Sequence, residues 1–166
     1  MTSIYEKYDD LCFSGYIQPL FHVAQSKGAD SYAGGNFGAA VSNRFSLRRG
    51  RIRVDYERFN QHDMPVLQFA FQFDGTERGV FIRDFYGRFF ETKSNVLSLT
   101  GGMFARHFGY EVNLSSSDRE TPERGRMSQI LMKTERDLGA MITFEPRRKD
   151  HPLHFLRIDA GAFNGQ

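Results

Sequence analysis

The amino-acid sequence predicts an all-β fold: an antiparallel, up-and-down arrangement of about seven strands, with one short helix in the connection after strand five. Three features of the 166 residues point to it. Apolar and polar residues alternate in short segments, as in Arg51-Ile52-Arg53-Val54-Asp55-Tyr56 and Leu67-Gln68-Phe69-Ala70-Phe71-Gln72-Phe73-Asp74. Successive side chains on a strand point to opposite faces, so each segment acquires one apolar and one polar face. The segments run about nine to twelve residues and are bounded by Gly, Pro, Asn and Asp. The connections between them are in most cases alternately long and short.

Strand one is expected over 13–24, with Phe13, Ile17, Phe21 and Val23 on one phase and Ser14, Tyr16, Gln18 and His22 on the other. Pro19 cannot donate to a ladder and marks an edge or a break. The stretch 26–43, rich in Gly, Ser, Ala and Asn, reads as a loop. In strand two, 45–58, Leu47 and Ile52 fall on different phases, which a bulge near Arg49 and Gly50 reconciles. A polar turn at 60–65 leads to strand three, 66–74, and a tight reversal at 74–79 to strand four, 80–91. The phase of strand four is unresolved: Ile82 shares a face with Asp84 and Arg88, while Arg83 shares one with Phe81, Phe85 and Phe89. After a turn at 92–95, strand five covers 96–105, where Gly101 and Gly102 leave room for close approach. Within 106–136, Thr121 as N-cap, Pro122 in the first turn and Glu123 predict a helix over 122–132. Met127, Ile130 and Leu131 recur at helical spacing on the side expected to pack. Strand six is 138–146, a basic turn follows at 147–152, and strand seven is 153–163, where Leu156, Ile158, Ala160 and Ala162 oppose Arg157 and Asp159. Residues 1–12 read as an N-terminal leader segment and 13–166 as a single domain.

The chemistry of the polar phase is arginine. Seventeen of the 22 basic residues are Arg and only five are Lys, while the formal net charge is +2, so any preference for anions is local. Six arginines lie between Arg44 and Arg58. Guanidinium presents a planar fork of donors suited to carboxylate and phosphate, although a solvated charged face has the same composition. Cys12 is the one cysteine, so neither an intrachain disulfide nor a cysteine-based metal site can be built. The five histidines are scattered, and Glu120 and Glu123 read as helix-start residues. Neither a nucleophile elbow, a phosphate-cradling glycine loop nor a zinc-protease helix is present, so the chain is expected not to be an enzyme and to need no cofactor. No stretch reaches the roughly 18 consecutive apolar residues of a spanning helix. Segments of nine to twelve residues nevertheless match tilted strands that cross a bilayer, whereas soluble strands average about five or six.

The segment Gly102-Met103-Phe104-Ala105-Arg106-His107-Phe108-Gly109-Tyr110-Glu111, then 115–129, then Glu135-Arg136-Asp137-Leu138-Gly139-Ala140, resembles the bacterial outer-membrane porin family that includes the phosphate-selective porins, in its Bacteroidetes form. Phe45-Ser46-Leu47-Arg48-Arg49-Gly50-Arg51-Ile52-Arg53, Phe81-Ile82-Arg83-Asp84-Phe85-Tyr86-Gly87-Arg88-Phe89 and Asp159-Ala160-Gly161-Ala162-Phe163-Asn164-Gly165 support it in order and spacing over 13–166.

The resemblance implies a homotrimeric transmembrane β-barrel of roughly sixteen to eighteen strands in the bacterial outer membrane. Such a channel passes small hydrophilic solutes, anions such as phosphate among them, by passive diffusion. It also implies that Arg49, Arg51 and Arg53 line the pore and bind anions, and that the loop after strand five folds inward as a constriction carrying Arg119, Arg124 and Arg126. The interleaved Asp118, Glu120, Glu123 and Glu135, and the scarcity of lysine, weaken the case for a strongly phosphate-selective channel and leave a general or weakly selective pore as an equal alternative. The sequence lacks a signal peptide and a terminal aromatic strand and offers seven strands, so it is expected to be the N-terminal portion of a longer, incomplete barrel. The partners implied are the outer-membrane bilayer, polar or anionic solutes and copies of the chain, with no nucleic acid. The main rival is a soluble β-barrel or sandwich with an arginine-lined cleft for an acidic ligand, its phenylalanines in a core. A nucleic-acid-binding sheet is disfavoured because arginines and aromatics fall on opposite faces, where stacking wants them together.

Overall fold

The computed structural model describes residues 10–30, 35–77, 79–107, 114, 124–131 and 134–165. Seven strands hydrogen-bond in chain order into one antiparallel sheet: β1 (Leu11–Val23), β2 (Asn43–Phe59), β3 (Pro65–Thr76), β4 (Gly79–Phe90), β5 (Leu97–Ala105), β6 (Arg136–Phe144) and β7 (Ile158–Phe163). Among the described residues one short helix, α1 (Arg126–Leu131), precedes β6. The sheet is not closed into a barrel: among the described residues β1 pairs only with β2 and β7 only with β6. The strand pairs β1–β2, β3–β4 and β5–β6 are joined at one end of the sheet, and β2–β3, β4–β5 and β6–β7 at the other.

The strand boundaries agree with the alternation to within two residues, except for β7. There 153–157 is not strand. The Leu156 amide donates to the Leu153 carbonyl (3.0 Å), the His154 amide to the His151 carbonyl (3.0 Å), and the Leu153 amide to His151 Nδ1 (3.1 Å). Local turns beside Pro152 thus take donors that a longer ladder would need. The helix is also shorter than expected, starting at Arg126, with 115–123 and 132–133 outside the described residues. Met127, Ile130 and Leu131 are exposed, contrary to the expected packing, since a helix of six residues is too short to bury a stripe.

Two bulges settle the phase problems of the sequence. Gln18 faces Arg49 while Pro19 faces Leu47, so Arg48 is the extra residue, one position before the expected bulge. The shift places Phe45 and Leu47 on the same face as Ile52, and Ser46 on the same face as Arg49, Arg51 and Arg53. Pro19, with no amide hydrogen to donate, sits where the ladder is interrupted. In β4, Asp84 faces Gln72 and Ile82 faces Phe73, which leaves Arg83 as the extra residue. Ile82 thereby joins Phe85 and Phe89, while Asp84, Tyr86 and Arg88 share the other face. Of the two glycines in β5, Gly102 (φ 128°) is the one that something approaches. A Cβ there would lie 2.3 Å from the Phe85 carbonyl oxygen, whereas one on Gly101 would meet open space.

Burial on the two faces is inverted relative to an ordinary soluble sheet. Phe13 (69%), Ile52 (61%), Phe85 (49%) and Ile142 (55%) are exposed on the apolar face, joined by Leu99, Leu138 and Ile158. Arg51 (5%), Asp84 (5%), Thr100 (0%) and Asp137 (4%) are buried on the polar face. Aromatic rings pair across strands on the apolar side, Phe21 with Phe45 (4.7 Å) and Phe71 with Phe85 (4.6 Å). The buried side is therefore the one lined with charge, and among the described residues no second layer covers the other.

Candidate functional site

The polar face is assembled by register. Ser14, Arg53, Gln72 and Asp84 stand in one row across β1 to β4, and Tyr16, Arg51 and Asp74 in the next. Opposed neighbours about 5 Å apart on one face leave guanidinium groups few partners but one another's counter-ions. Arg49 Nη1 donates to Gln18 Oε1 (2.8 Å), and Arg51 Nη2 donates to Asp74 Oδ2 (2.7 Å). Arg53 grips Asp55 with both arms of its fork, Nε to Oδ2 at 2.6 Å and Nη2 to Oδ1 at 2.7 Å, a bidentate geometry that fixes both side chains.

From these pairs a continuous chain of charge crosses the face. Arg53 reaches Asp84 (3.6 Å), whose other oxygen accepts from Arg136 Nε (2.9 Å). Arg136 and Arg83 both bind Glu135, and Arg83 lies 3.8 Å from Asp74, which closes the path back to Arg51. Arg124 joins through its Nε to Glu135 Oε1 (2.8 Å). Glu135 thus ties the end of the connection 106–135 to the wall. These buried charges are paired with one another, as burial requires.

Of the residues singled out from sequence, Arg49, Arg51 and Arg53 do stand together on the polar face. Arg124 lies against it through Glu135, Arg126 is exposed in α1, and Arg119 lies outside the described residues. Sequence reasoning did not single out Asp84, Arg83, Arg88, Arg136 and His107. The signal for the first three was the phase conflict in strand four, which one extra residue resolves.

Beyond the charge chain, toward β7, Asp159 accepts from Thr143 Oγ1 (2.5 Å) and Arg157 Nε (3.0 Å). His107, which follows β5, has its Nδ1 3.8 Å from Asp159 Oδ2. Burial holds the His107 imidazole below its ordinary value of 6.5, opposed by Asp159 and reinforced by Arg157 and Arg88. Among the described residues no cluster of His, Cys, Asp or Glu could hold a metal ion. No helix of the described residues is long and apolar enough to cross a membrane, which leaves spanning by strands as a separate matter. No protein-family model, no curated protein and no solved structure matches the chain.

Proposed function

We propose that this chain forms part of the wall of an outer-membrane diffusion channel of the porin type, with its apolar face toward acyl chains and its arginine-lined face toward water. The observation that carries the reading is the inverted burial: large apolar side chains exposed on all the principal strands, opposite a face of buried, paired charge. In water such a face is a large aggregation-prone patch, whereas in hydrocarbon it is the solvated one. Strands of 12 to 17 residues in β1 to β4 suit a tilted crossing, and the meander order is that of an up-and-down barrel. The free edges of β1 and β7 would leave backbone groups unpaired in hydrocarbon at several kcal/mol each, so a working wall needs further strands on both.

The solutes are small and hydrophilic, with a mild preference for anions. Arg51 and Arg53 are matched by Asp74 and Asp55, which lowers the net field that a row of bare arginines would focus. No bond is made or broken. In planar-bilayer recordings under a potassium chloride gradient, the reversal potential is expected to indicate weak chloride preference. Joint Arg51→Glu and Arg53→Glu substitution is expected to turn the preference toward potassium. A channel whose selectivity ignores both substitutions would contradict the placement of these residues on the water-filled side. The soluble-module alternative predicts a detergent-free monomer, and the uncovered phenylalanines speak against it.

A further inference from the structure

A cavity of about 450 Å³ beside the charge chain brings together Tyr86 and Arg88 of β4, His107, Arg157 and Asp159. Most charges around it are satisfied. Asp84 takes Arg136 and Arg53, and Asp159 takes Thr143 and Arg157. Arg88 differs. Its Nε donates to the neutral Thr100 Oγ1 (2.9 Å), and its guanidinium carbon lies 5.7 Å from the Tyr86 ring centroid and 6.0 Å from that of Phe90. Among the described residues it pairs with no carboxylate. Two aromatic rings and one hydroxyl hold the guanidinium in place without neutralising it, which keeps its remaining N–H groups available to an anion.

His107 stands at the same cavity and is the group there that changes charge near neutral pH. The charged groups facing it are Asp159 and Arg157 from the β7 side and Arg88 from β4, with Arg136 and Asp84 further along the wall. Arg157 and Arg88 oppose its protonation, and an anion seated between them and the imidazole would remove that repulsion.

We infer that Arg88 and His107 form a binding site for a small oxyanion, sulfate or a phosphate monoester in chemical class, and that protonation of His107 tightens it. As a solute-selecting site it rests on the channel reading; as a binding site it is measurable without a bilayer. By linkage the coupling runs both ways: the oxyanion raises the proton affinity of His107 as much as the proton raises the affinity for the oxyanion.

Inorganic sulfate is the probe, because its charge does not change between about pH 5 and pH 8. Titration into the full chain in detergent micelles, followed by the imidazole C2 proton resonances, is expected to show binding about tenfold tighter at pH 5 than at pH 8, the effect of one added charge at partly screened short range. His107→Gln should bind at the wild-type pH 8 level at both pH values. Arg88→Gln should lose binding at both, and Arg88→Lys should recover part of it, which separates loss of charge from loss of fold. Retained pH dependence in His107→Gln, or wild-type affinity in Arg88→Gln, would overturn the site. Sulfate binding by chains whose apolar face, read through Phe85→Trp, is not quenched by brominated lipid would reject the channel and keep the site, whereas lipid quenching without sulfate binding would do the reverse.

Discussion

Single side chains hold the ends of this sheet. Glu91 follows β4, and its carboxylate accepts from the backbone amides of Lys93, Ser94 (2.8 Å) and Asn95 (2.9 Å) and from Ser94 Oγ (2.6 Å). These donors hold its pKa at about 2, against 4.5 in the unfolded chain. Because the folded value is the lower one, the contribution of Glu91 is fully present above about pH 4.5 and is lost as pH falls toward 2. Asn95 closes the same turn in the left-handed region (φ 58°), which Asn tolerates better than most residues. Glu91→Gln is expected to speed amide exchange at 93–95 at pH 6, and to leave rates near pH 2 close to those of the wild type. Hydrogen exchange followed across that range checks it, and equal protection at pH 6 would contradict the role of the carboxylate. At this scale the sequence was partly legible. Arg49, Arg51 and Arg53 announce one face because they alternate without interruption, whereas the capping role of Glu91 depends on four donors that converge only when the turn closes.

At the scale of elements, periodicity was readable wherever the ladder is regular and failed where it is not. Six strands were bounded closely because apolar residues at every second position fix the register. Strand four was ambiguous because the extra Arg83 inverts the phase halfway, and no local property of Arg83 marks it as a bulge. Strand seven was overextended because turn hydrogen bonds around His151 compete with the ladder in a stretch whose residues alternate acceptably. Most of the connection after β5 lies outside the described residues; of what is described, Arg124 is attached through Glu135 and Thr134 through Arg106. This carboxylate serves Arg83, Arg124 and Arg136 together. Glu135→Gln would leave three neighbouring guanidinium groups less well matched, at a cost on the order of 2 to 3 kcal/mol. The expected outcome is faster trypsin cleavage after Arg124 and Arg126, with the sheet intact by circular dichroism. Unchanged cleavage would show that the connection is held elsewhere.

For the whole molecule, the governing quantity is which medium each face meets. The charged side of the sheet is buried among paired charges, while its phenylalanines, isoleucines and leucines are exposed; on the channel reading proposed above, that exposed side meets acyl chains. The composition alone, with 40% hydrophobic and 25% charged residues, is ordinary for a soluble domain and hides this. The inversion becomes visible only when burial is assigned face by face. The chain contains no tryptophan, and Phe85 and Tyr86 are adjacent in β4 on opposite faces, so two single substitutions report the two media against a silent background. With Phe85→Trp and Tyr86→Trp reconstituted separately in vesicles of brominated-chain phospholipid, the indole at position 85 should be strongly quenched and the one at 86 quenched by aqueous iodide instead. Equal quenching of both by iodide, with none by bromine, would place the apolar face away from lipid and contradict the account.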